Sequence, residues 1–318
     1  MVKVGIAGCD NLRGAELVRI LINHPDVDLM WVKATSVGSV RLDEVVPGIV
    51  GECELMINPE GELGNVDVVF TCGHRDQCAA TLETLRLNDD THIIDLSGCH
   101  NLDDDQHQSW KYGLSEMQRR NLVHDTMRAT VPGNAAMVSL LALLPMARNL
   151  LLNSPIELRV AMGETAFPEQ GKTIDGLDID TWAVLQQQEV VLNLKRCQSS
   201  FDQDVKLTIS PLAERRTLAV DARFRTSVDS EMIRQLYDHY YSDHNFVFLV
   251  DRPIVTADVE NTNKCLIRLD KDDSTGLITV QAVADTLLKG SAGSAVHVMN
   301  LMFGMHERAG LALKGTGC

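Results

Sequence analysis

The sequence predicts an α/β protein in two parts, a doubly wound parallel sheet followed by a second, α+β domain. Two observations carry this. Up to residue 149, apolar strand runs alternate with amphipathic helical runs, the pattern of parallel strands joined by crossover helices. Beyond it, strand runs dominate with only two clear helical runs among them, which predicts a mostly antiparallel sheet. A length of 318 residues suits two cores better than one.

In chain order, VKVGIAG (2–8) reads as a buried strand, and DNLRGAELVRILINH (10–24) as an amphipathic helix with Leu17, Ile20 and Leu21 inward. VDLMWVKATS (27–36) and NVDVVFTCG (65–73) are the second and third strands, and HRDQCAATLETL (74–85) is a helix. THIIDLSG (91–98) is the fourth strand and RATVPG (128–133) a short fifth, leading into an apolar helix over 134–149. The second part contributes strands IELRVAMG, VKLTISPL, TLAVDARFRT, FVFLV, KCLIRLD and LITVQAVAD, with helices near 181–198 and 229–241. Residues 163–180 form the longest loop, and long loops in compact domains are often functional. LLKGSAGSAVHVMNLMFGM closes the chain as a small-residue helix start followed by an apolar helix.

The charge balance is 29 Lys+Arg against 44 Asp+Glu, a formal net charge of −15. That argues against nucleic acid or an anionic membrane as partner, since both require a basic surface. An aromatic fraction of 4% argues against base stacking as well. No apolar run approaches the roughly 20 residues of a membrane span, and no leader pattern precedes the first strand, so the expectation is a soluble, cytoplasmic protein. The eight cysteines include no CxxC pair, which predicts free thiols and no metal site.

In doubly wound sheets, ligands sit at the carboxyl edge, so strand ends carry the candidates. The first turn, GIAGCDNLRG, holds Gly5, Gly8 and Gly14 between strand and helix, where glycines let a backbone approach a pyrophosphate. The spacing is not GxGxxG, and a tight turn needing small residues is the competing reading. At the end of the second strand Ser36 is followed by neither a carboxylate nor an arginine, so the choice between NAD and NADP is not legible. Thr71-Cys72-Gly73-His74, Asp95-Leu96-Ser97 and Asn134 lie at further strand ends. Cys72 and Cys99 are candidate nucleophiles, though buried inert thiols are commoner. Asn134 follows Pro132-Gly133 at a helix start, a position whose free N–H groups suit a nucleophile, and Asn is also a strong N-cap.

Several stretches together resemble the N-acetyl-γ-glutamyl-phosphate reductases of arginine biosynthesis. These are IAGCDNLRGAELVRILINHPDV, IIDLS (93–97), YGLSEM (112–117), VPGNAAMVSLLALLP and LLKGSAGSAVHVMNLMFGMHERAGL. ENTNKCLIRLD is similar to the Bacteroidetes-type version, whose substrate is thought to be N-succinylated. The resemblance spans nearly the whole chain, with residues 98–111 and 163–200 matching poorly. It implies a Rossmann-like domain with a semialdehyde dehydrogenase-like partner domain. Residues 1–133 plus 289–318 would form the dinucleotide-binding domain and 134–288 the substrate and dimerisation domain. It also implies a reaction in which a Cys thiolate attacks an acyl phosphate and the thioester takes hydride from NADPH, with a His as acid/base. Cofactor contacts would fall at Gly8, Asn11, Leu12, Gly14, Ser36, His74, Ser97 and Gly293.

The departures from that family sit at its chemistry. Asn134 stands where the nucleophilic Cys is expected, and Gln186 of QQQEVV matches the acid/base His, within a residue or two. Asn101 of DLSGCHN replaces an Arg expected near the substrate anion. GETAFPEQG replaces the acyl-phosphate loop, while Arg216 of AERRTLAV is either a surviving substrate Arg or a surface one. Asn11 replaces a turn glycine. Its Cβ would crowd the pyrophosphate and a left-handed backbone would add strain, so NADP binding is expected to be weak or lost. Two functions remain open on these residues: a reductase of altered site or substrate, or a non-catalytic paralogue that binds a small molecule. Either is expected to form a homodimer or tetramer, and the paralogue also a hetero-oligomer with an active reductase.

Overall fold

The computed structural model describes residues 1–318 apart from 35–36, 58–63, 104–108, 124–125, 168–172, 175 and 316–318. It comprises two compact units, Met1–Pro132 with Ser291–Ala312, and Gly133–Gly290 with the chain from Leu313. Residues 313–315 group with the second unit. The reason is close contact: a Cβ on Gly315 would stand 2.8 Å from the Ala257 carbonyl.

In unit one, β1 (Val2–Ala7) leads into α1 (Leu12–Leu21), which buries Leu17, Val18, Ile20 and Leu21. β2 (Val27–Lys33) is followed by β3 (Val40–Arg41), α2 (Leu42–Val45) and β4 (Met56–Ile57), β3 and β4 forming a small antiparallel pair. Then come β5 (Val68–Thr71), α3 (Cys78–Leu85), β6 (His92–Asp95), β7 (Lys111–Tyr112), α4 (Ser115–Val123) and β8 (Arg128–Thr130). The sheet order is β2-β1-β5-β6-β8-β7, every pair parallel. The chain leaves β1 for β2 on one side and returns to β5 on the other. This is the reversal of order at which such sheets bind ligands. Gly14 is what lets α1 close onto the turn that follows β1, since a Cβ there would come 2.1 Å from the Gly8 carbonyl.

Unit two begins with α5 (Asn134–Arg148), buried along nearly its whole length, and β9 (Ile156–Met162). α6 (Ile179–Cys197), β10 (Val205–Pro211), β11 (Thr217–Arg225), α7 (Ser230–Tyr241), β12 (Val247–Leu249), β13 (Cys265–Asp272) and β14 (Leu277–Asp285) complete it. Its sheet runs β10-β9-β11-β14-β13-β12. The three inner pairings are antiparallel and the two outer ones parallel. α5 packs on β11 and β14, with α6 and α7 beside it. Burial alternates along β9 and β11, so Glu157, Arg159, Asp221 and Arg223 share a face that is only partly covered.

After β14 a π-helical turn (Leu288–Ala292) leads to α8 (Gly293–Met302). α8 returns to unit one and is held there by buried polar contacts. His297 places Nδ1 3.1 Å from Ser115 Oγ and Nε2 2.7 Å from Glu307 Oε2, engaging both ring nitrogens. Among the described residues no helix is long and apolar enough to cross a membrane.

Candidate functional site

Two sets of candidate residues are brought together, one in each unit. In unit one the first turn is built around Gly8, whose φ of +97° lies in the left-handed region that glycine occupies without strain. A Cβ there would stand 3.2 Å from the backbone of Cys72 and Gly73. Asn11 does not share that conformation. At φ −118° and ψ 168° its backbone is extended, so the strain expected from a left-handed Asn is absent. Its side chain turns inward: Nδ2 donates to the carbonyls of Gly8 at 3.0 Å and Cys72 at 2.7 Å. Oδ1 accepts the Gly14 N–H at 3.0 Å, making Asn11 the N-cap of α1.

The remaining unit-one candidates divide. Leu12 is 55% exposed at the helix start, and Arg13 beside it donates to the Leu96 carbonyl at 3.0 Å. His74 is exposed and precedes a single 3-10 turn. Ser97 is buried, its hydroxyl donating to Asp95 Oδ2 at 2.8 Å while accepting the Cys99 N–H at 3.2 Å. Asn101, offered as a substrate contact, is buried and accepts the Thr130 hydroxyl, a link between the loop after β6 and β8. Gly293 is buried at the start of α8. Ser36 lies outside the described residues. A glycine turn ending at a helix N-terminus suits the phosphates of a dinucleotide, through backbone N–H groups and the helix dipole, and here the Asn11 side chain takes one of those groups, that of Gly14.

In unit two the start of α5 is the focus. The N-cap is Gly133, and Asn134 is the first helical residue, one place later than its expected capping role. Its Oδ1 still accepts a helix-start N–H, that of Ala135 at 2.7 Å. α6 supplies the other acceptors. Gln186 Oε1 takes the Ala136 N–H at 3.0 Å and Glu189 Oε1 takes the Gly133 N–H at 2.9 Å. Gln186 and Glu189 are three residues apart on α6, on one helical face, and both are buried. A Cβ on Gly133 would stand 2.2 Å from the Gln186 amide nitrogen, so any side chain there would displace the Gln186 amide from the helix start. Gln186 and Glu189 thus both sit at the start of α5 beside Asn134, and Glu189 is a member of this group that the sequence did not single out.

Gly290 lies between Asn134 and the strand end that carries Asp285. A Cβ on Gly290 would lie 3.2 Å from both the Asn134 Cβ and the Asp285 carbonyl. The Asp285 carboxylate, fully buried, takes a two-pronged contact from Arg216, Nε at 3.0 Å and an η nitrogen at 3.2 Å. It also accepts the N–H groups of Asn261, Leu287 and Leu288 at 2.8–2.9 Å. Arg216 is therefore a partly buried ion-pair partner. Nothing in the sequence marked Asp285, because its role depends on strand pairing.

Neither alternative cysteine is an available nucleophile. Cys72 is fully buried and desolvation pushes its thiol well above the ordinary range. Burial and the Asp10 charge push Cys9 up to about 12. Cys99 stands sulfur to sulfur with Cys78 as a disulfide pair, Cα atoms 6.7 Å apart, which corrects the expectation of free thiols throughout.

Residues 3–124 match the semialdehyde dehydrogenase NAD binding domain, and residues 186–286 the semialdehyde dehydrogenase dimerisation domain. Among solved structures, aspartate semialdehyde dehydrogenase II from Vibrio cholerae in complex with ASA superposes with a TM-score of 0.72. It is 15% identical and aligned over 95% of this chain and 98% of that one. The Candida albicans aspartate semialdehyde dehydrogenase with NADP gives a TM-score of 0.70 at 10% identity, over 95% and 98% of the two chains. These likenesses establish the fold. The N-acetyl-γ-glutamyl-phosphate reductases of Phocaeicola vulgatus and Bacteroides fragilis are each 34% identical over 322 aligned residues, 99% of both chains. The chain thus belongs to the N-acetyl-γ-glutamyl-phosphate reductase family, with a semialdehyde dehydrogenase fold and an NAD(P)-binding domain.

Proposed function

We propose that the chain keeps the ligand-binding scaffold of its family and does not carry out thioester-dependent reduction of an N-acyl-γ-glutamyl phosphate. The observation that supports this is Asn134 at the start of α5. A carboxamide forms neither a thiolate nor a thioester. The donors around it are also spoken for: Gly133, Ala135 and Ala136 give their N–H groups to Glu189, Asn134 and Gln186. These are the groups that elsewhere stabilise a thiolate or a developing oxyanion. Arg216, held by Asp285, supports the same reading for the substrate anion. The test is the reverse reaction with N-acetyl- and N-succinyl-glutamate semialdehyde, phosphate and NADP⁺. The expected turnover is at least a thousandfold below that of the Bacteroides fragilis relative, and turnover within tenfold of it refutes the reading.

NADP is the proposed cofactor, held in unit one by Gly8, the α1 start at Leu12 and Arg13, and Gly14. When bound it supplies hydride chemistry. Asn11 weakens that site by occupying the Gly14 N–H, one of the donors a phosphate would otherwise receive. Asn101, Ser97 and His74 belong to the wall of the same sheet edge in this proposal.

The second unit's partly covered sheet face supports assembly, in keeping with its match to a dimerisation domain. We propose a homodimer burying more than about 1,200 Å², and a non-catalytic role as partner of an active reductase through the same face. Light scattering checks the first part, and a monomer at tens of micromolar refutes both.

A further inference from the structure

We propose that the reduced protein binds one zinc-class ion per chain through Cys78, Cys99 and His100, at the carboxyl edge of the unit-one sheet. Cys78 opens α3, and Cys99 with His100 follows β6, so two separate crossovers deliver the three groups to one place. Their ligand atoms all lie within 4.8 Å of one another, and Cys78 Sγ stands 3.8 Å from His100 Nε2. In a tetrahedral zinc site the ligand separations are about 3.5–3.8 Å, from zinc distances near 2.3 Å to sulfur and 2.0–2.1 Å to nitrogen; the Cys78–His100 separation meets this, and the two sulfurs, bonded to each other here, part to reach it once the disulfide is reduced. Two sulfurs and one imidazole select zinc or a similarly soft ion over magnesium or calcium.

The surroundings carry the argument beyond a coincidence of residue types. Asp103 Oδ2 lies 2.8 Å from His100 Nδ1. That contact places the ring proton on Nδ1 and leaves Nε2, the nitrogen facing Cys78, free to coordinate. Trp110 stacks on the ring at 4.1 Å with 12° between planes and fixes its orientation. Behind the sulfurs the fully buried Asp95 carboxylate approaches Cys78 Sγ at 3.8 Å and Cys99 Sγ at 3.7 Å. Asp95 is itself held by the hydroxyls of Thr71 at 2.7 Å and Ser97 at 2.8 Å. Two thiolates beside this carboxylate would place three negative charges within a few ångströms of one another, and a divalent ion neutralises most of that charge. Cys99 and His100 are half-buried, which leaves the fourth coordination position to water.

The same sulfurs form the disulfide, so ion and disulfide exclude each other. Reduction by a phosphine consumes one water and gives two thiols and one phosphine oxide. Coordination then releases the two thiol protons to solvent.

The test uses the full chain, reduced with a phosphine, stripped with a chelator and titrated with zinc against a chromophoric competitor. One zinc per chain with a dissociation constant below 1 μM is expected. Cobalt substitution should give a thiolate-to-cobalt charge-transfer band. Cys78→Ser and His100→Asn should each weaken binding at least a hundredfold, and Asp103→Asn, which keeps every ligand, tenfold to a hundredfold. Circular dichroism establishes that each variant is folded, and the cobalt spectrum of the unaltered chain stands independently of them. No stoichiometric zinc in the reduced chain, a disulfide-only pair, or a cobalt complex without the sulfur band overturns the proposal.

Discussion

The helix that carries Asn134 at its start contains a proline, Pro145, and the structure shows how that residue is tolerated. Residue 145 of α5 would ordinarily donate its N–H to the Leu141 carbonyl, but proline has none. The hydroxyl of Tyr241, on α7, donates to that carbonyl instead. Tyr237, one turn earlier, donates to the next carbonyl, Ala142, at 2.5 Å. Leu141 is completely buried and Tyr241 is 4% exposed, so water cannot replace the lost phenol. Burial also pushes the Tyr237 phenol up, which keeps it a donor at any ordinary pH. Tyr241→Phe strips the partner from a buried carbonyl and should cost about 1–3 kcal/mol. Pro145→Ala restores a backbone donor for the same carbonyl, so Tyr241→Phe should cost less in that background. The expected coupling is about 1 kcal/mol or more. Urea unfolding of the four chains, followed by circular dichroism, measures it. A coupling below about 0.5 kcal/mol, the range of independent sites, would refute the account of how α5 holds its line.

Asn11→Gly frees the Gly14 N–H for a phosphate, at a loss of a few tenths of a kcal/mol of capping and of the amide's two contacts to the Gly8 and Cys72 carbonyls. Calorimetry should show NADPH binding three- to tenfold tighter, and unchanged or weaker binding would count against the competition described above. His24 is buried, accepts the Asp26 N–H on Nδ1 and faces Asn300 Oδ1 through Nε2, with burial holding its pKa below the usual imidazole range. The unfolded chain therefore binds the extra proton more readily. Stability from this group is complete above about pH 6.5 and falls as pH drops toward the folded pKa, by up to about 1.4 kcal/mol per pH unit. Denaturant midpoints at pH 7.5 and 5.5 should differ more for the unaltered chain than for His24→Asn, and equal differences would refute it.

The layered organisation is legible from residue spacing alone. Long apolar runs with period 2 or 3.6 specify a strand or helix locally, because which face is buried is written into the spacing of residues along that element. The six strands of unit two and the helices α5, α6 and α7 were legible for this reason. The two-residue strands β3, β4 and β7 were not, since two residues have no period, and the polar stretch of α4 offers little apolar signal. At the site, the carboxamide of Asn134 at a helix start is legible because a residue type is read directly from the chain. The partners of Asn134, Gln186 and Arg216 come from contacts between distant elements. Glu189 meets Gly133 across 56 residues, Arg216 meets Asp285 across 69, and Cys78 meets Cys99 and His100 from different crossovers. Hydrogen bonds and ligand sets depend on distances of a few ångströms between side chains. Such distances are set by how sheets and helices pack, and no spacing along the chain encodes them.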